Sequence, residues 1–308
     1  MPSMTLAEFI LRTRDQLVKG VAEEIITTNP MYLLMPWNGY AGSGITVNKE
    51  KVLGDADFYG LGDTIAAKAP SEVSPLLYRA TRIIGDAELD GLQLAESGSD
   101  INDLMAMEVS SKSKSVGRKI QEGMATGDGA DPHMNSLHSM VDSGQYVKAG
   151  GGDIFDDLDA LTQKVLSKDG QVDWIQVSGT QALKIRTAYR KLGGVPMMEV
   201  KSGNRTFQVM EFNGIPVFTN NWLSTKETTG GAALTGGAFS SAFAGNFDDG
   251  TNKVGVAMIH PMATAMGISV QPIGNMETKD QSIFRVKSYC NFASFNKLGV
   301  ARLTDLAK

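Results

Sequence analysis

The side chains best suited to metal binding or nucleophilic catalysis are few and widely spaced. The chain has three histidines, His133, His138 and His260, and one cysteine, Cys290. Histidines five residues apart do not share one face of a helix, where paired metal ligands stand three or four residues apart. We therefore expect no metal site and a neutral surface or capping role for the histidines. Cys290 lies in an apolar run, which predicts a buried structural thiol rather than a nucleophile.

Four aspartates form the densest acidic cluster, at Asp153, Asp156, Asp157 and Asp159. Carboxylates in the first turn of a helix are stabilised by the helix dipole, and an aspartate just before the helix caps its free amide groups. The apolar residues that follow recur at helical spacing. The cluster therefore predicts a capped helix start in preference to a cation site.

Sequence motifs of catalysis or nucleotide binding are missing. We find no Gly-x-Ser-x-Gly elbow, no Walker A loop and no dinucleotide-binding fingerprint. The run Ser178-Gly179-Thr180 precedes a predicted helix, and such a run either caps the helix or holds an anion. We expect no catalytic residues and no cofactor, so the motifs do not predict an enzyme.

A basic stripe is the strongest charged pattern on a predicted helix. It consists of Lys112, Lys114, Arg118 and Lys119, within a helix expected over residues 100–126. Two interpretations stand: a solvated helix face, or a surface that contacts DNA through its phosphates without reading base sequence.

Whole-chain composition sets the class of protein. The chain has 308 residues, of which 42% are hydrophobic, and this is enough to bury a sizeable core. Its net charge of −5 is unlike that of a general nucleic-acid-binding protein. The first 20 residues carry charges where a signal peptide would be apolar, and no apolar run approaches the length of a membrane span. We expect a soluble protein that is made inside a cell and does not contact a membrane.

The predicted elements run in an unusual order, which indicates the α+β class. A helix at 5–30 precedes two extended strands at 46–53 and 73–84, too far apart for a tight hairpin. The long helix at 100–126 comes next, and then a compact mixed unit that contains the hairpin signal Asn213-Gly214. Residues 228–237, rich in Gly, Thr and Ala, are predicted to form a mobile loop, and long strands end the chain.

This order resembles the tailed-phage major capsid proteins of the Hong Kong 97-type fold, to which the encapsulins are related. Residues 5–30, TLAEFILRTRDQLVKGVAEEIITTNP, resemble the N-terminal arm helix, residues 44–90 the extended E-loop, and residues 100–126 the spine helix. The runs NGIPVFTN (213–220) and VGVAMIHP (254–261) resemble the sheet of the axial domain. Residues 153–194 resemble the helix–strand–helix of the axial domain, and residues 282–296 resemble the return strand of the peripheral domain. The resemblance in element order covers nearly the whole chain.

The resemblance implies a division of the chain and a set of contacting residues. It assigns 1–36 to the arm, 37–92 to the E-loop, 93–152 plus 264–296 to the peripheral domain, and 153–263 plus 297–308 to the axial domain. The arm would contact a neighbour through Leu6, Phe9, Ile10, Leu17 and Val21. The E-loop would contact a neighbouring copy through Lys49, Glu50, Lys51, Asp55, Asp57 and Lys68.

The resemblance also implies how the subunits assemble and which partners they have. Pentamers and hexamers would assemble in the host cytoplasm into the icosahedral head of a virion, with a portal, packaged double-stranded DNA and, in some relatives, a decoration protein. Some relatives carry a scaffolding segment ahead of the arm, which a protease removes. Because the predicted arm begins at Thr5, we expect a separate scaffolding protein, unless the sequence is that of the already processed protein.

Two alternatives remain open. An encapsulin-type nanocompartment shares the fold, and would be distinguished by a cargo enzyme encoded nearby. A small α/β hydrolase or transferase built on 153–259 would instead be a monomer or small oligomer with a polar pocket.

Overall fold

The computed structural model describes residues 31, 34–52, 56–61, 63–64, 72–91, 101–202, 205–250, 254–264 and 267–307. The predicted arm helix, with Leu6, Phe9, Ile10, Leu17 and Val21, lies outside the described residues. The strands and helices follow in chain order: β1 (Trp37–Tyr40), β2 (Ile45–Val52), β3 (Glu72–Tyr78), β4 (Thr81–Asp90), α1 (Ile101–Thr126), α2 (Leu137–Met140), β5 (Tyr146–Lys148), α3 (Ile154–Leu166), β6 (Trp174–Val177), α4 (Gly179–Lys191), β7 (Met197–Ser202), β8 (Arg205–Phe212), β9 (Ile215–Thr219), β10 (Phe239–Gly245), β11 (Val256–Pro261), β12 (Ile268–Asn275), β13 (Gln281–Ser294) and β14 (Val300–Ala307).

One sheet of seven strands has the order β5-β14-β10-β6-β9-β8-β7. Its pairs are mostly antiparallel, with β5–β14 and β6–β9 parallel. Helix α3 packs on this sheet through Leu158, Leu161 and Val165, which are fully buried against Ile175 and other strand residues. The sheet is therefore mixed, unlike the all-parallel sheets of α/β proteins with helices on both faces.

Local signals in this unit act as the sequence predicts. The carboxylate of Asp153 accepts from the Phe155 amide and caps α3, and Ser178 caps α4 by accepting from the Gln181 amide. Asn213 and Gly214 have φ angles of 50° and 80°, as a two-residue turn with both residues left-handed requires. That turn joins β8 to β9 as predicted.

A second sheet of five strands is built around the long strand β13. Strand β13 pairs with β12 and β4 along its first part and with β11 along its last part, and β1 pairs parallel to β11. Helix α1 packs on this sheet, mainly on β4. Its predicted apolar stripe is buried at Val109, Val116, Ile120 and Met124.

The strand pairing differs from the sequence-based prediction in two places. The extended segment predicted at 73–84 is two strands, because the chain turns at Arg79 and Ala80 and β4 then pairs with β13. The run VGVAMIHP contains β11, which pairs with β1 and β13 rather than with the seven-stranded sheet. Both outcomes depend on partners far away in sequence.

Candidate assembly surfaces

A two-stranded ribbon projects from the five-stranded sheet. Strands β2 and β3 pair antiparallel from Ile45 opposite Tyr78 to Val52 opposite Glu72, and within the described chain they form a sheet of their own. Leu76 and Leu77 are more than 40% exposed. The ribbon occupies only part of 37–92, since β1 and β4 at either side of it belong to the five-stranded sheet.

The base of the ribbon is anchored by two tyrosines. The Tyr78 hydroxyl donates to the Ser294 carbonyl at 2.8 Å, and the Ala80 amide donates to the Tyr40 hydroxyl at 3.0 Å. Tyr78 packs edge-on against Phe295 in a small apolar cluster. Burial raises the pKa of Tyr78 to about 12, opposed by the hydrogen bond to Ser294. The ribbon therefore leaves the body from a fixed point.

The far end of the ribbon carries exposed apolar side chains. Phe58 and Leu61 are 103% and 110% exposed, and Tyr59 is 40% exposed. The backbone there is held locally, because the Gly60 amide donates to the Asp63 carboxylate at 2.5 Å and the Phe58 amide donates to Asp57 at 3.0 Å. We call residues 56–61 and 63–64 the ribbon tip.

The structure locates four of the six predicted E-loop residues. Lys49 and Glu50 lie in β2 opposite Ser74 and Val73, and Lys51 follows them in the same strand. Asp57 is exposed at the ribbon tip. Asp55 and Lys68 lie outside the described residues. Their proposed contacts with a neighbouring copy stay predictions.

The basic stripe of α1 lies on its solvent side. Lys114, Arg118 and Lys119 are exposed, Lys112 is half-buried, and Lys119 pairs with Glu122 at 3.0 Å. Beside the stripe, a groove of about 460 Å³ runs between the end of α1 and the start of β4. A second groove of about 370 Å³ also contains Ile83, Ile84 and Lys119 and extends along Lys112 and Arg118 to Trp222. We call the two together the α1–β4 groove.

A buried ionic cluster, not predicted from the sequence, joins α2, the 224–238 segment and β14. Arg302 pairs with Glu227 at 3.0 Å, and both side chains are almost completely buried. Ser241 donates to the same carboxylate, and Arg302 also donates to the Gly231 carbonyl at 3.2 Å. Gly230 in turn donates to Asp305. The segment predicted as a mobile loop is therefore hydrogen-bonded to β14.

His138 belongs to this cluster, so its predicted surface or capping role is wrong. Its ring packs edge-on against Phe243, and its Nε2 lies 3.6 Å from the Glu227 carboxylate. Burial, with the nearby Arg302 charge, lowers the pKa of His138 to about 3. Burial raises the pKa of Glu227, against the opposing effects of Ser241 and Arg302. Arg302 and Glu227 neutralise each other's charge. Because the pair leaves no net negative charge to favour a protonated ring, buried His138 is neutral.

Candidate chemical groups elsewhere are structural. Cys290 is fully buried, as predicted, and burial raises the pKa of its thiol to about 11. Within the described ranges, no three His, Cys, Asp or Glu side chains converge as a metal site would require. None of the helices among these same residues combines the length and hydropathy needed to cross a bilayer.

Comparison with known proteins finds structures with a similar fold but no match by sequence. No protein-family model and no curated protein matches the chain. The holo-SrpI encapsulin complex from Synechococcus elongatus superposes with a TM-score of 0.63 at 16% identity, covering 90% of this chain and 87% of that one. The capsid of a native GTA particle gives 0.60 at 13% identity, with 90% of both chains covered. A structure of phage G major capsid and decoration proteins gives 0.56 at 9% identity, covering 89% and 88%.

The chain has the Hong Kong 97-type capsid fold. The similarity extends over about nine tenths of the chain, so it includes both sheets, as the resemblance in the sequence predicted. The matched proteins include an encapsulin and phage capsid proteins, and the fold is therefore common to both kinds of shell. The matched structures are of shell assemblies rather than enzymes.

Proposed function

We propose that this protein is a self-assembling shell subunit, and specifically the major capsid protein of a tailed double-stranded DNA bacteriophage. The observation that carries the proposal is the Hong Kong 97-type capsid fold, shared over about nine tenths of the chain with proteins of assembled particles. The subunits would form pentamers and hexamers of an icosahedral head that encloses the genome.

The energetics of the ribbon support assembly. An isolated two-stranded ribbon is at best marginally stable in water, and this one exposes Phe58, Leu61, Leu76 and Leu77. Exposed apolar side chains clustered on a projecting element are typical of a surface that a partner covers. Interfaces of permanent assemblies commonly bury more than about 2,000 Å² in total, which a projecting ribbon helps to supply.

Further partners follow from the same proposal. We propose that a portal, a separate scaffolding protein and a decoration protein act with the capsid protein, which would be part of the virion after assembly in the host cytoplasm. The basic stripe, Lys112, Lys114, Arg118 and Lys119, stays a predicted contact for packaged DNA through non-specific phosphate binding.

Electron microscopy of negatively stained, purified protein tests the shell proposal. We expect closed particles, or rings of five and six subunits, with matching high sedimentation coefficients. The test is made at protein concentrations well above those inside a cell and with neighbouring gene products co-expressed. A uniform population of monomers or dimers under these conditions would contradict the shell proposal.

The encapsulin type of shell is the second candidate, because the S. elongatus encapsulin superposes with a TM-score of 0.63. The content of particles purified from the native source separates the two candidates. A phage head retains nuclease-resistant double-stranded DNA, whereas a nanocompartment retains a stoichiometric protein cargo and no long DNA. We expect DNA.

A further inference from the structure

The 224–238 segment has no buried apolar side chain to anchor it. Its apolar residues are all exposed or half-buried, and they are Ala232, Ala233, Leu234 and Ala238. Its contacts with β14 are polar. Arg302 pairs with Glu227 and donates to the Gly231 carbonyl, and the Gly230 amide donates to Asp305. The position of the segment therefore depends on the charges of a few side chains.

A pair of glycines lies against the buried Arg302 guanidinium. Gly230 and Gly231 have φ angles of 71° and 66°, in the left-handed region that glycine adopts without steric cost. A Cβ atom at Gly231 would collide with the Arg302 guanidinium, so only glycine lets the backbone come this close. Arg302 is only 2% exposed, and the two glycines stand between this cation and solvent.

The Glu227 carboxylate faces a cation with one oxygen and a neutral base with the other. Its Oε2 lies 3.0 Å from Arg302 and accepts from the Ser241 hydroxyl at 2.5 Å. Its Oε1 lies 3.6 Å from Nε2 of His138, and within the described chain neither of these two atoms has a hydrogen-bond partner. A carboxyl group that takes up a proton at Oε1 would donate it to an unprotonated Nε2 and satisfy both atoms.

Acid reaches this carboxylate before it reaches the histidine. Burial raises the pKa of Glu227, so Glu227 takes up a proton at a milder pH than an ordinary glutamate. Burial and the Arg302 charge lower the pKa of His138 to about 3, so the ring stays neutral and accepts. Because the folded pKa of Glu227 is the raised one, its protonation favours the folded chain and rearranges the cluster without unfolding it.

Protonation of Glu227 leaves Arg302 without its counter-charge. A buried cation without a partner is costly, and the cost is relieved when water reaches it. The shortest route for water is past Gly230 and Gly231, because their backbone is what covers the guanidinium. Opening of this part of the segment is therefore the response that the geometry favours.

Other charged and polar groups surround the cluster. Three neighbouring strands contribute Asp305 from β14, Lys148 and Tyr146 from β5, and Ser241 from β10. Helix α1 also packs on α2, and its Lys119 and Glu122 are paired with each other. Asp305 is a second carboxylate in contact with the segment, so a test must separate its effect from that of Glu227.

We propose that Glu227 and His138 form a proton-operated clasp that fastens the 224–238 segment to β14. At neutral pH the ionised carboxylate holds Arg302 beneath the two glycines. On acidification Glu227 takes up one proton and donates it to Nε2 of His138, Arg302 loses its counter-charge, and residues 229–237 open to admit water. This device goes beyond the proposed shell function and does not depend on it.

Hydrogen exchange of the purified full chain tests the clasp, with each amide corrected for its intrinsic exchange rate. Between neutral pH and pH 4.5, the ordinary value for glutamate, protection of residues 229–237 should fall about tenfold while β10 and β14 stay protected. Protection of 229–237 that is unchanged down to pH 4.5, or lost equally in β10 and β14, would overturn the proposal.

Two variants should open the segment without acid. Glu227→Gln imitates the protonated carboxyl group and should expose 229–237 at neutral pH, with no further change on acidification. Gly231→Ala should open the segment at neutral pH by pushing the backbone away from Arg302, and it keeps the test decisive if the first variant does not fold. A Gly231→Ala protein as well protected as the wild type would contradict the clasp.

A third variant tests the histidine. His138→Phe keeps a ring packed on Phe243 but cannot accept the proton, so the opening should move to lower pH by about one unit. Two controls should open at the wild-type pH: His133→Phe, at an exposed position, and Asp305→Asn, which keeps an acceptor for Gly230. An opening pH that follows Asp305 and ignores His138 would assign the response to Asp305 and overturn the clasp.

Discussion

The seven-stranded unit and the ribbon bury their apolar residues in opposite ways. In the first, α3 and the sheet cover each other, and Leu158, Leu161 and Ile175 have no exposed surface within the chain. In the second, β2 and β3 pair with each other and with no other strand of the described residues, and the tip leaves Phe58 and Leu61 in solvent. The core is stabilised by contacts within the copy, whereas the ribbon exposes apolar side chains that, under the proposed shell function, another copy covers.

The buried ionic cluster is where a single change should affect the folded chain most. Arg302→Met leaves the Glu227 carboxylate buried without its partner, which typically costs about 3–5 kcal/mol. Denaturant unfolding of the unassembled protein measures this loss, and Arg302→Met with Glu227→Leu should recover much of it. Arg285→Met, which breaks the partly exposed pair with Asp86, is the control and should have a far smaller effect. Equal losses for both arginines would contradict the distinction.

The same change, leucine to alanine, can be made in the core and at the ribbon tip, and the two variants compare these regions directly. Leu161→Ala removes a fully buried side chain and should cost about 2–5 kcal/mol of folding stability. Leu61→Ala removes a fully exposed one and should change folding stability by no more than about 0.5 kcal/mol. In the assembly assay, Leu61→Ala should raise the required protein concentration although the chain stays folded. A Leu61→Ala protein that unfolds more easily would show that the ribbon is stabilised within its own copy.

Acid should weaken the cluster through His138. Because its folded pKa, about 3, lies below the ordinary value of 6.5, the neutral ring favours folding. This contribution is complete above pH 6.5 and is lost as pH falls from 6.5 towards 3, by about 1.4 kcal/mol per pH unit over most of that interval. His138→Phe should flatten the acid side of the stability profile. His133→Phe, at an exposed position, is the matched substitution and should change folding stability by no more than about 0.5 kcal/mol.

Among the buried groups, the smallest expected effect is at the base of the ribbon. Tyr78→Phe removes the hydrogen bond to Ser294 and should cost about 1 kcal/mol, measured by hydrogen exchange of the ribbon amides. Because the folded pKa of Tyr78 is raised from 10 to about 12, the contribution of the neutral phenol is present below pH 10 and is lost between 10 and 12. In the Tyr78→Phe variant this alkaline component should disappear. Faster exchange throughout the five-stranded sheet would indicate a role beyond the base.

Features that depend on nearby residues were predictable from the sequence. The caps at Asp153 and Ser178, the Asn213-Gly214 turn and the buried stripe of α1 each follow from residues within a few turns of chain. The order of these elements was sufficient to predict the fold, because few architectures combine a long projecting ribbon, a long helix and a compact mixed unit.

Features that depend on distant partners were not predictable. Arg302 and Glu227 are 75 residues apart, and no local pattern marks either as buried. The split between β3 and β4 has the same origin, because β4 continues along β13, about 200 residues later. The groove also escaped sequence analysis, since its floor comes from β4 and its basic rim mainly from α1.

The turn at Arg79 and Ala80 connects the strand that leaves the body with the strand that borders the groove. Its backbone is held on both sides, by Asn291 at the Arg79 carbonyl and by Tyr40 at the Ala80 amide. The direction in which the ribbon leaves the body is therefore set by the same two residues that begin the path into β4, so a change at this turn should redirect the ribbon without unpairing its strands.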